Sequence, residues 1–305
     1  MRLPEGERSG KFWKCIKDSL RVEIKSGKEN LLEAKEHVEK GGNLIIATNH
    51  IDGMDPGVTL NLIEKITSLE NVATFVSTHQ LDNWYRGPIM TSIAGITGLE
   101  IYPTVQNKKR DKKAYEVLFE ALQSGPPTNE SLQEAKKTMT EAKKADKRQK
   151  PDAKDRFPAV DRFNSHYLRL AIKRLTEGHG LITYILPEGT RSTDGTMQEA
   201  EEGAAYLIKK VNMAEERVGK GQKTLLLPVA IEIDQRADKL THGKARIIPL
   251  ATKSKLHVCR LMSYENIENI VSIEEVTAKD AIMLPIAAAL GREQRGFYSS
   301  FIKTG

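Results

Sequence analysis

The sequence predicts an α/β protein with a mixed, largely parallel sheet flanked by helices. Short apolar segments with strand character alternate along the chain with longer segments whose apolar residues recur at helical spacing. This alternation is typical of parallel sheets, because each parallel connection needs a crossover that is usually a helix. The chain has 305 residues, long for one ordinary domain and short for two, so we expect one α/β core that carries insertions.

We expect three regions along the chain. They are an N-terminal helical segment, an α/β domain with a charged helical insertion, and a C-terminal helical extension: residues 1–42, 43–261 (with the insertion at about 124–158) and 262–305. The first region is predicted to contain two helices, because apolar residues recur at helical spacing over residues 10–40 and the stop signal Gly41-Gly42 follows.

Short apolar runs predict the strands of the α/β domain. These runs are residues 43–48, 72–77, 99–104, 181–186, 224–233, 245–250 and 256–261. Apolar residues at helical spacing predict helices over residues 56–66, 83–94 and 198–217, and the chain is predicted to be helical again from Ile273. The polar stretch from residue 110 to residue 178 is also helical in pattern, with Gly and Pro interruptions that mark the insertion.

The charge of the chain is compatible with several anionic partners. The formal net charge is +6 and the sequence pI is near 9.1, which suits anionic lipid surfaces, acidic carrier proteins or nucleic acid. Much of the positive excess lies in residues 143–154, inside the expected insertion. Charge alone therefore does not choose among these partners.

Nothing in the sequence predicts secretion or a membrane span. The start of the chain does not resemble a signal peptide, and apolar runs such as residues 282–290 fall short of the roughly 20 residues that a span requires. Cys15 and Cys259 form no metal-binding spacing, so we expect a reducing compartment and no structural metal. No cofactor is expected either. We expect a cytoplasmic protein; Phe12 and Trp13 fit either a cover over the core or an anchor at the inner face of the membrane.

A histidine and a carboxylate follow the first predicted strand of the domain. His50 comes directly after this strand, and Asp55 lies five residues later at the start of a predicted helix. The carboxyl ends of strands are where α/β folds present ligand-binding groups, and a carboxylate can orient an imidazole that takes a proton from an alcohol. A structural interpretation stays open, because Asp55 before Pro56 is also typical of a helix N-cap.

A second polar segment follows the predicted strand at residues 181–186. It reads Glu188-Gly189-Thr190-Arg191-Ser192. An arginine can bind a phosphate with two hydrogen bonds, glycine allows close approach of a ligand to the backbone, and the hydroxyl groups add donors. A polar turn with a surface arginine is the alternative.

The order of these segments resembles the glycerolipid acyltransferases, a family that includes the lysophosphatidic acid acyltransferases. The resemblance rests on Asn-His-x4-Asp after a strand, on Pro-Glu-Gly-Thr-Arg-Ser after another, and on the later block Leu225 to Ala230. Gly98 to Pro103 is a weaker match to a further block. The resemblance covers roughly residues 41–233.

The resemblance implies a site and a reaction. His50 would be the general base, with Asp55 orienting it. Glu188, Gly189, Thr190 and Arg191 would form the acceptor site, with Arg191 on the phosphate and Ser192 as a further candidate. The implied partners are acyl-CoA or acyl-carrier protein as donor, and a lysophospholipid or glycerol 3-phosphate as acceptor. Pro228 would shape the acyl-binding side.

Some positions depart from the family pattern. Where the family's second block ends in an arginine, this chain has Pro103 to Gln106; Lys108 and Lys109 follow closely and are candidates to replace it. The implied reaction is acylation of a lysophospholipid such as 1-acylglycerol 3-phosphate, with glycerol 3-phosphate as the alternative acceptor. A non-catalytic protein that binds anionic lipid or nucleic acid is a further alternative, although no nucleic-acid module is recognised and no nucleic-acid partner is expected.

Overall fold

The computed structural model describes most of the α/β core and the C-terminal part of the chain. The described residues are 21–51, 55–77, 99–104, 158–189, 192, 194–219, 223–233 and 253–302. The strands among them are β1 (Arg21–Ser26), β2 (Asn43–Thr48), β3 (Val72–Ser77), β4 (Glu100–Thr104), β5 (Ile182–Ile185), β6 (Thr224–Ile233) and β7 (Lys253–Val258). The α-helices are α1 (Lys28–Glu39), α2 (Asp55–Ile63), α3 (Pro158–Glu177), α4 (Gly203–Arg217), α5 (Tyr264–Glu274) and α6 (Ala278–Ala289).

The strands form one mixed sheet in the order β1-β7-β6-β2-β5-β3-β4. Strands β6, β2, β5, β3 and β4 are mutually parallel, β7 is antiparallel to β6, and β1 is parallel to β7. The predicted fold class, a mixed and largely parallel sheet with flanking helices, is therefore confirmed. Strand β4 lies at the edge of the described sheet, where the proline in its sequence removes no hydrogen bond to a further strand.

Strand β2 lies in the middle of the sheet, and every one of its residues is buried. Leu44 and Ile46 face the apolar cluster that includes residues of α1 and α2, whereas Ile45 and Ala47 face the cluster formed with α3 and α4. Burial of each large side chain contributes about 1.5–3 kcal/mol. A strand that is apolar on both faces is typical of a parallel sheet covered on both sides, and it fixes the position of the residues that follow it.

The described part of the N-terminal region differs from the prediction. A helix is present over Lys28–Glu39, but Arg21–Ser26 is an extended strand and not a helix. Val22 and Ile24 pack towards the core, while the charged residues that alternate with them, Arg21, Glu23 and Lys25, are exposed. This is the period-2 pattern of an edge strand. The region expected to be only helical therefore contributes a strand to the sheet.

Most other described elements lie where the sequence predicts them. The strands at 43–48, 72–77 and 224–233 match, and those at 99–104 and 181–186 are shorter by one and two residues. The strand expected at 256–261 occupies Lys253–Val258, and the C-terminal helices begin at Tyr264 and not near Ile273. Outside the described residues lie Phe12, Trp13, the helix expected at 83–94, the strand expected at 245–250 and the insertion at 124–158 except its last residue, Pro158.

Two features of the C-terminal part bear on the site. Helix α6 packs on β6, and the short helical turns Arg292–Gln294 and Gly296–Ser300 follow it. Gln294 and Phe297 form backbone hydrogen bonds with Met197, so this part of the chain holds the segment that follows residue 192. Among the helices that the structure describes, none is long and apolar enough to cross a bilayer.

Candidate active site

The two polar segments singled out from the sequence meet at one edge of the sheet. Strands β2 and β5 are parallel neighbours, with Ala47 opposite Ile185. The chain leaves β2 towards His50 and leaves β5 towards Glu188, so both residues follow the carboxyl ends of adjacent strands. This edge is where open α/β sheets present ligand-binding groups.

Asn49 fixes the end of β2 against β6. Its side-chain amide donates to the carbonyl oxygen of Ile231 at 3.0 Å, and its Oδ1 accepts from the backbone N–H of Ile231 at 2.7 Å. The side chain is fully buried, so both hydrogen bonds are shielded from water. Asn49 therefore extends the contact between β2 and β6 by one residue and fixes the position of the backbone that leads into His50. The sequence motif includes Asn49 but predicts no role for it.

The side chains of His50 and Asp55 contact each other across the strand-to-helix turn. Nδ1 of His50 lies 3.1 Å from Oδ2 of Asp55, and the exposed fractions of the two side chains are 15% and 0%. A carboxylate can only accept, so Nδ1 carries a proton that it donates to Asp55. In the neutral ring this leaves the lone pair on Nε2, the nitrogen that can take a proton from a substrate.

Asp55 also begins helix α2, so the contact with His50 and the helix-terminal position coexist. A carboxylate in the first turn of a helix interacts favourably with the helix dipole. Tyr184 of β5 is buried nearby; burial raises the pKa of its hydroxyl, and the charge of Asp55 raises that pKa further. Tyr184 therefore stays protonated and adds no negative charge near His50 and Asp55.

The main chain of His50 is held on both sides by the segment that follows β5. Its backbone N–H donates to Oε1 of Glu188 at 2.7 Å, and its carbonyl oxygen accepts from the backbone N–H of Ser192 at 2.9 Å. The two partners are four residues apart and flank residues 189–191. Glu188 and Ser192 therefore both lie directly against the backbone of the candidate base.

Glu188 is buried and fully engaged. Its second carboxylate oxygen accepts from the backbone N–H of Gln198 at 2.6 Å, and the residue is 2% exposed. Burial raises the pKa of Glu188 to about 7, although its hydrogen bonds with the amides of Gln198 and His50 and the nearby His50 ring oppose this rise. The nearby Asp55 carboxylate acts in the same direction as burial.

Gly189 and Ser192 each form a turn in the chain that follows β5. Gly189 has a φ of 66°, in the left-handed region that favours glycine, and its N–H donates to Leu186 in a tight turn. The Ser192 hydroxyl donates to Asp194 at 2.8 Å and accepts from the backbone N–H of Thr196 at 3.0 Å. The side chain of Ser192 is thus occupied within its own turn.

The structure brings together five of the residues that the sequence analysis named, namely His50, Asp55, Glu188, Gly189 and Ser192. Thr190, Arg191, Lys108 and Lys109 lie outside the described residues. Pro228 lies in β6 opposite Ala47, on the strand next to the one that ends at the site. The contacts made by Asn49 and by the backbone of Gln198 were not anticipated, because nothing local in the sequence identifies partners 182 and 10 residues away.

Comparisons with known proteins return a distant likeness in structure. No family model matches this sequence, and no curated protein matches it. The chain is similar to the crystal structure of the 1-acyl-sn-glycerophosphate (LPA) acyltransferase PlsC from Thermotoga maritima, with 15% sequence identity and a TM-score of 0.41. The alignment covers 93% of this chain and 82% of that chain.

Proposed function

We propose that this protein is an acyltransferase that moves a fatty acyl group from an acyl thioester to the hydroxyl of a lysophospholipid such as 1-acylglycerol 3-phosphate. One observation carries the proposal. The buried carboxylate of Asp55 contacts the partly exposed ring of His50, and the backbone of His50 is hydrogen-bonded to Glu188 and Ser192, the two ends of the segment that contains Arg191. The resemblance of the motif order to the glycerolipid acyltransferases supplies the substrate class.

In this proposal His50 acts as the general base. An alcohol is a poor nucleophile until a base takes its proton, and Nε2 of His50 takes it as the oxygen attacks the thioester carbonyl carbon. The tetrahedral intermediate collapses with cleavage of the carbon–sulfur bond, and the proton on Nε2 passes to the departing thiolate. General-base help of this kind contributes about 10²–10⁴-fold, and the buried Asp55 stabilises the imidazolium that forms between the two steps.

Arg191 is proposed to bind the phosphate of the acceptor, with Gly189 and Thr190 beside it. Arg191 directly precedes Ser192, whose N–H is bonded to the carbonyl oxygen of His50. A phosphate bound by this segment would place a glycerol hydroxyl near the base, because the phosphate and the hydroxyls of the acceptor are only a few bonds apart. Lys108 and Lys109 remain candidates for a second cationic contact.

The assay that tests the proposal measures thiol release from a long-chain acyl-CoA and from a long-chain acyl-carrier protein by the purified full chain. Three acceptors separate the alternatives: 1-acylglycerol 3-phosphate, glycerol 3-phosphate, and a monoacylglycerol that lacks phosphate. We expect acceptor-dependent release with 1-acylglycerol 3-phosphate. Faster turnover with glycerol 3-phosphate would support the alternative acceptor, and no acceptor-dependent release from either donor would contradict the proposal.

Replacing the arginine tests the phosphate contact separately. We expect Arg191→Ala to raise the KM for the phosphate-bearing acceptor by about tenfold or more, since a charge-assisted hydrogen bond contributes about 1.5–3 kcal/mol. The KM for the acyl donor and the thermal stability serve as controls and should change little. Unchanged KM values for both phosphate-bearing acceptors would remove Arg191 from the proposed phosphate site.

A further inference from the structure

The carboxylate of Glu188 connects two loops through their backbones. Oε1 accepts from the N–H of His50, which lies 138 residues away in the sequence, and Oε2 accepts from the N–H of Gln198, 10 residues away. Both distances, 2.7 and 2.6 Å, are those of strong hydrogen bonds, which are charge-assisted when the carboxylate is ionised. Each oxygen therefore already has a partner at the site.

These contacts fit poorly with a carboxylate that binds the acceptor. The residue is 2% exposed, so a ligand would reach it only if the loops around it moved. Displacing either hydrogen bond would leave a buried backbone N–H without its acceptor, which is unfavourable. A carboxylate would also repel the phosphate of the acceptor.

The same contacts suit a role in placing the histidine. Ser192 holds the carbonyl oxygen of His50 while Glu188 holds its N–H, so the two main-chain groups of one residue are fixed by a single short segment. Fixing the backbone of His50 fixes the starting point of its side chain, which must reach Oδ2 of Asp55. We propose that Glu188 is a positioning residue that orients the His50 base through its backbone and does not bind the acceptor.

The other end of this connection is anchored by the C-terminal part of the chain. Gln198 follows Met197, whose N–H donates to Gln294 and whose carbonyl oxygen accepts from Phe297. Two residues beyond Gln198, the N–H of Ala200 donates to the hydroxyl of the buried Tyr298 at 3.0 Å. Glu188 therefore joins the His50 loop to a segment that is itself held on both sides.

Glu188→Gln tests the proposal, because the variant keeps the size of the side chain but replaces one acceptor oxygen with an NH₂ group. That group faces a backbone N–H and cannot accept from it. If Glu188 positions His50, kcat should fall by about 10²-fold while the acceptor KM stays within about twofold, as expected for displacement of a catalytic group. A rise in acceptor KM with unchanged kcat would show an acceptor ligand and overturn the proposal.

Glu215→Gln is the matched control. Glu215 is a second buried glutamate that accepts from two backbone N–H groups, those of Lys223 and Thr224, but it does so at the amino end of β6. Its replacement should lower the free energy of unfolding and leave kcat and KM unchanged. A comparable loss of kcat in Glu215→Gln would show that Glu188→Gln acts through general destabilisation, which would overturn the positioning role.

Because the kinetic test rests on the proposed function, a spectroscopic measurement separates the two. The chain has seven histidines, so ¹⁵N-histidine labelling gives seven backbone amide signals, and His50→Ala identifies the one from His50. At a pH well above 7, where Glu188 is ionised, this amide proton should resonate far downfield in the wild type, as expected for a bond to a carboxylate, and should move upfield in Glu188→Gln. If the His50 amide signal of the wild type lay in the range of an unbonded N–H, the proposal would be overturned. This outcome depends neither on whether Glu188→Gln folds nor on whether the protein transfers acyl groups.

Discussion

Oδ2 of Asp55 lies 3.1 Å from Nδ1 of His50, and of the two side chains only that of His50 reaches solvent. A substrate that approaches from solvent therefore meets the imidazole and not the carboxylate. A base that is supported from the buried side in this way keeps its orientation while its other nitrogen stays available.

The contact predicts a large effect of Asp55→Asn. The amide keeps the shape of the carboxylate but can no longer stabilise the imidazolium as a charge, and it permits the opposite tautomer of the ring. We expect kcat to fall by about 10²-fold or more, with the acceptor KM nearly unchanged. Steady-state kinetics on a folded variant measure this, and a kcat within a factor of about two of the wild type would be incompatible with the role of Asp55.

Gly296→Ala should disturb the site from the C-terminal part of the chain. Gly296 has a φ of 48°, and a Cβ there would overlap the carbonyl oxygen of Met197. The strain should lower the free energy of unfolding by about 1–3 kcal/mol and shift the segment that contains Gln198, so kcat should fall as well. Denaturant unfolding and steady-state kinetics measure the two effects.

Gly203→Ala provides the control for this experiment. Gly203 is the first residue of helix α4, and a Cβ there would contact nothing within 4 Å. Alanine should leave kcat unchanged and alter stability by no more than about 1 kcal/mol, in the stabilising direction. If both glycine variants behaved alike, the C-terminal support of the site would be refuted.

Stability should depend on pH through Glu188. Its pKa is raised from 4.5 to about 7, mainly by burial, so between these values the folded protein holds a proton that the unfolded chain has lost. The free energy of unfolding therefore rises as the pH falls through this window. As the pH falls from 7.5 to 4.5, the free energy of unfolding of the wild type should rise by up to about 3 kcal/mol relative to that of Glu188→Gln.

Urea unfolding of the two proteins at several pH values measures this difference. Groups that are common to both proteins and distant from Glu188 contribute to each curve and largely cancel in the comparison. The difference should be steepest between pH 7 and pH 5. A difference that is flat over this range, or that favours the variant as the pH falls, would contradict the raised pKa.

The sequence predicted the central strands and the contact between His50 and Asp55 because both are local properties. An apolar run such as Asn43–Thr48 identifies a buried strand, and five residues across a strand-to-helix turn suffice to bring two side chains together. The alternation in Arg21–Ser26 is equally local, but the helical spacing of apolar residues on either side of it predicts a continuous helical region.

The roles of Glu188 and Asn49 could not be predicted from the sequence. Each depends on a partner more than a hundred residues away, the N–H of His50 for Glu188 and the backbone of Ile231 for Asn49. Such partners become visible only when the order of the strands is known, since β2 lies between β5 and β6. Side chains that bind backbone groups also leave no complementary residue type in the sequence that could identify their partners.

The most direct test of the account is acyl transfer by His50→Ala beside His257→Ala. His257 of β7 is the control, because it is a second histidine whose ring contacts a carboxylate: its Nε2 lies 3.2 Å from an oxygen of Glu232 in β6. We predict that His50→Ala lowers acceptor-dependent thioester turnover by about 10²–10⁴-fold with its fold intact, while His257→Ala keeps the wild-type rate. Wild-type turnover in a folded His50→Ala protein would contradict the central claim that His50 is the base.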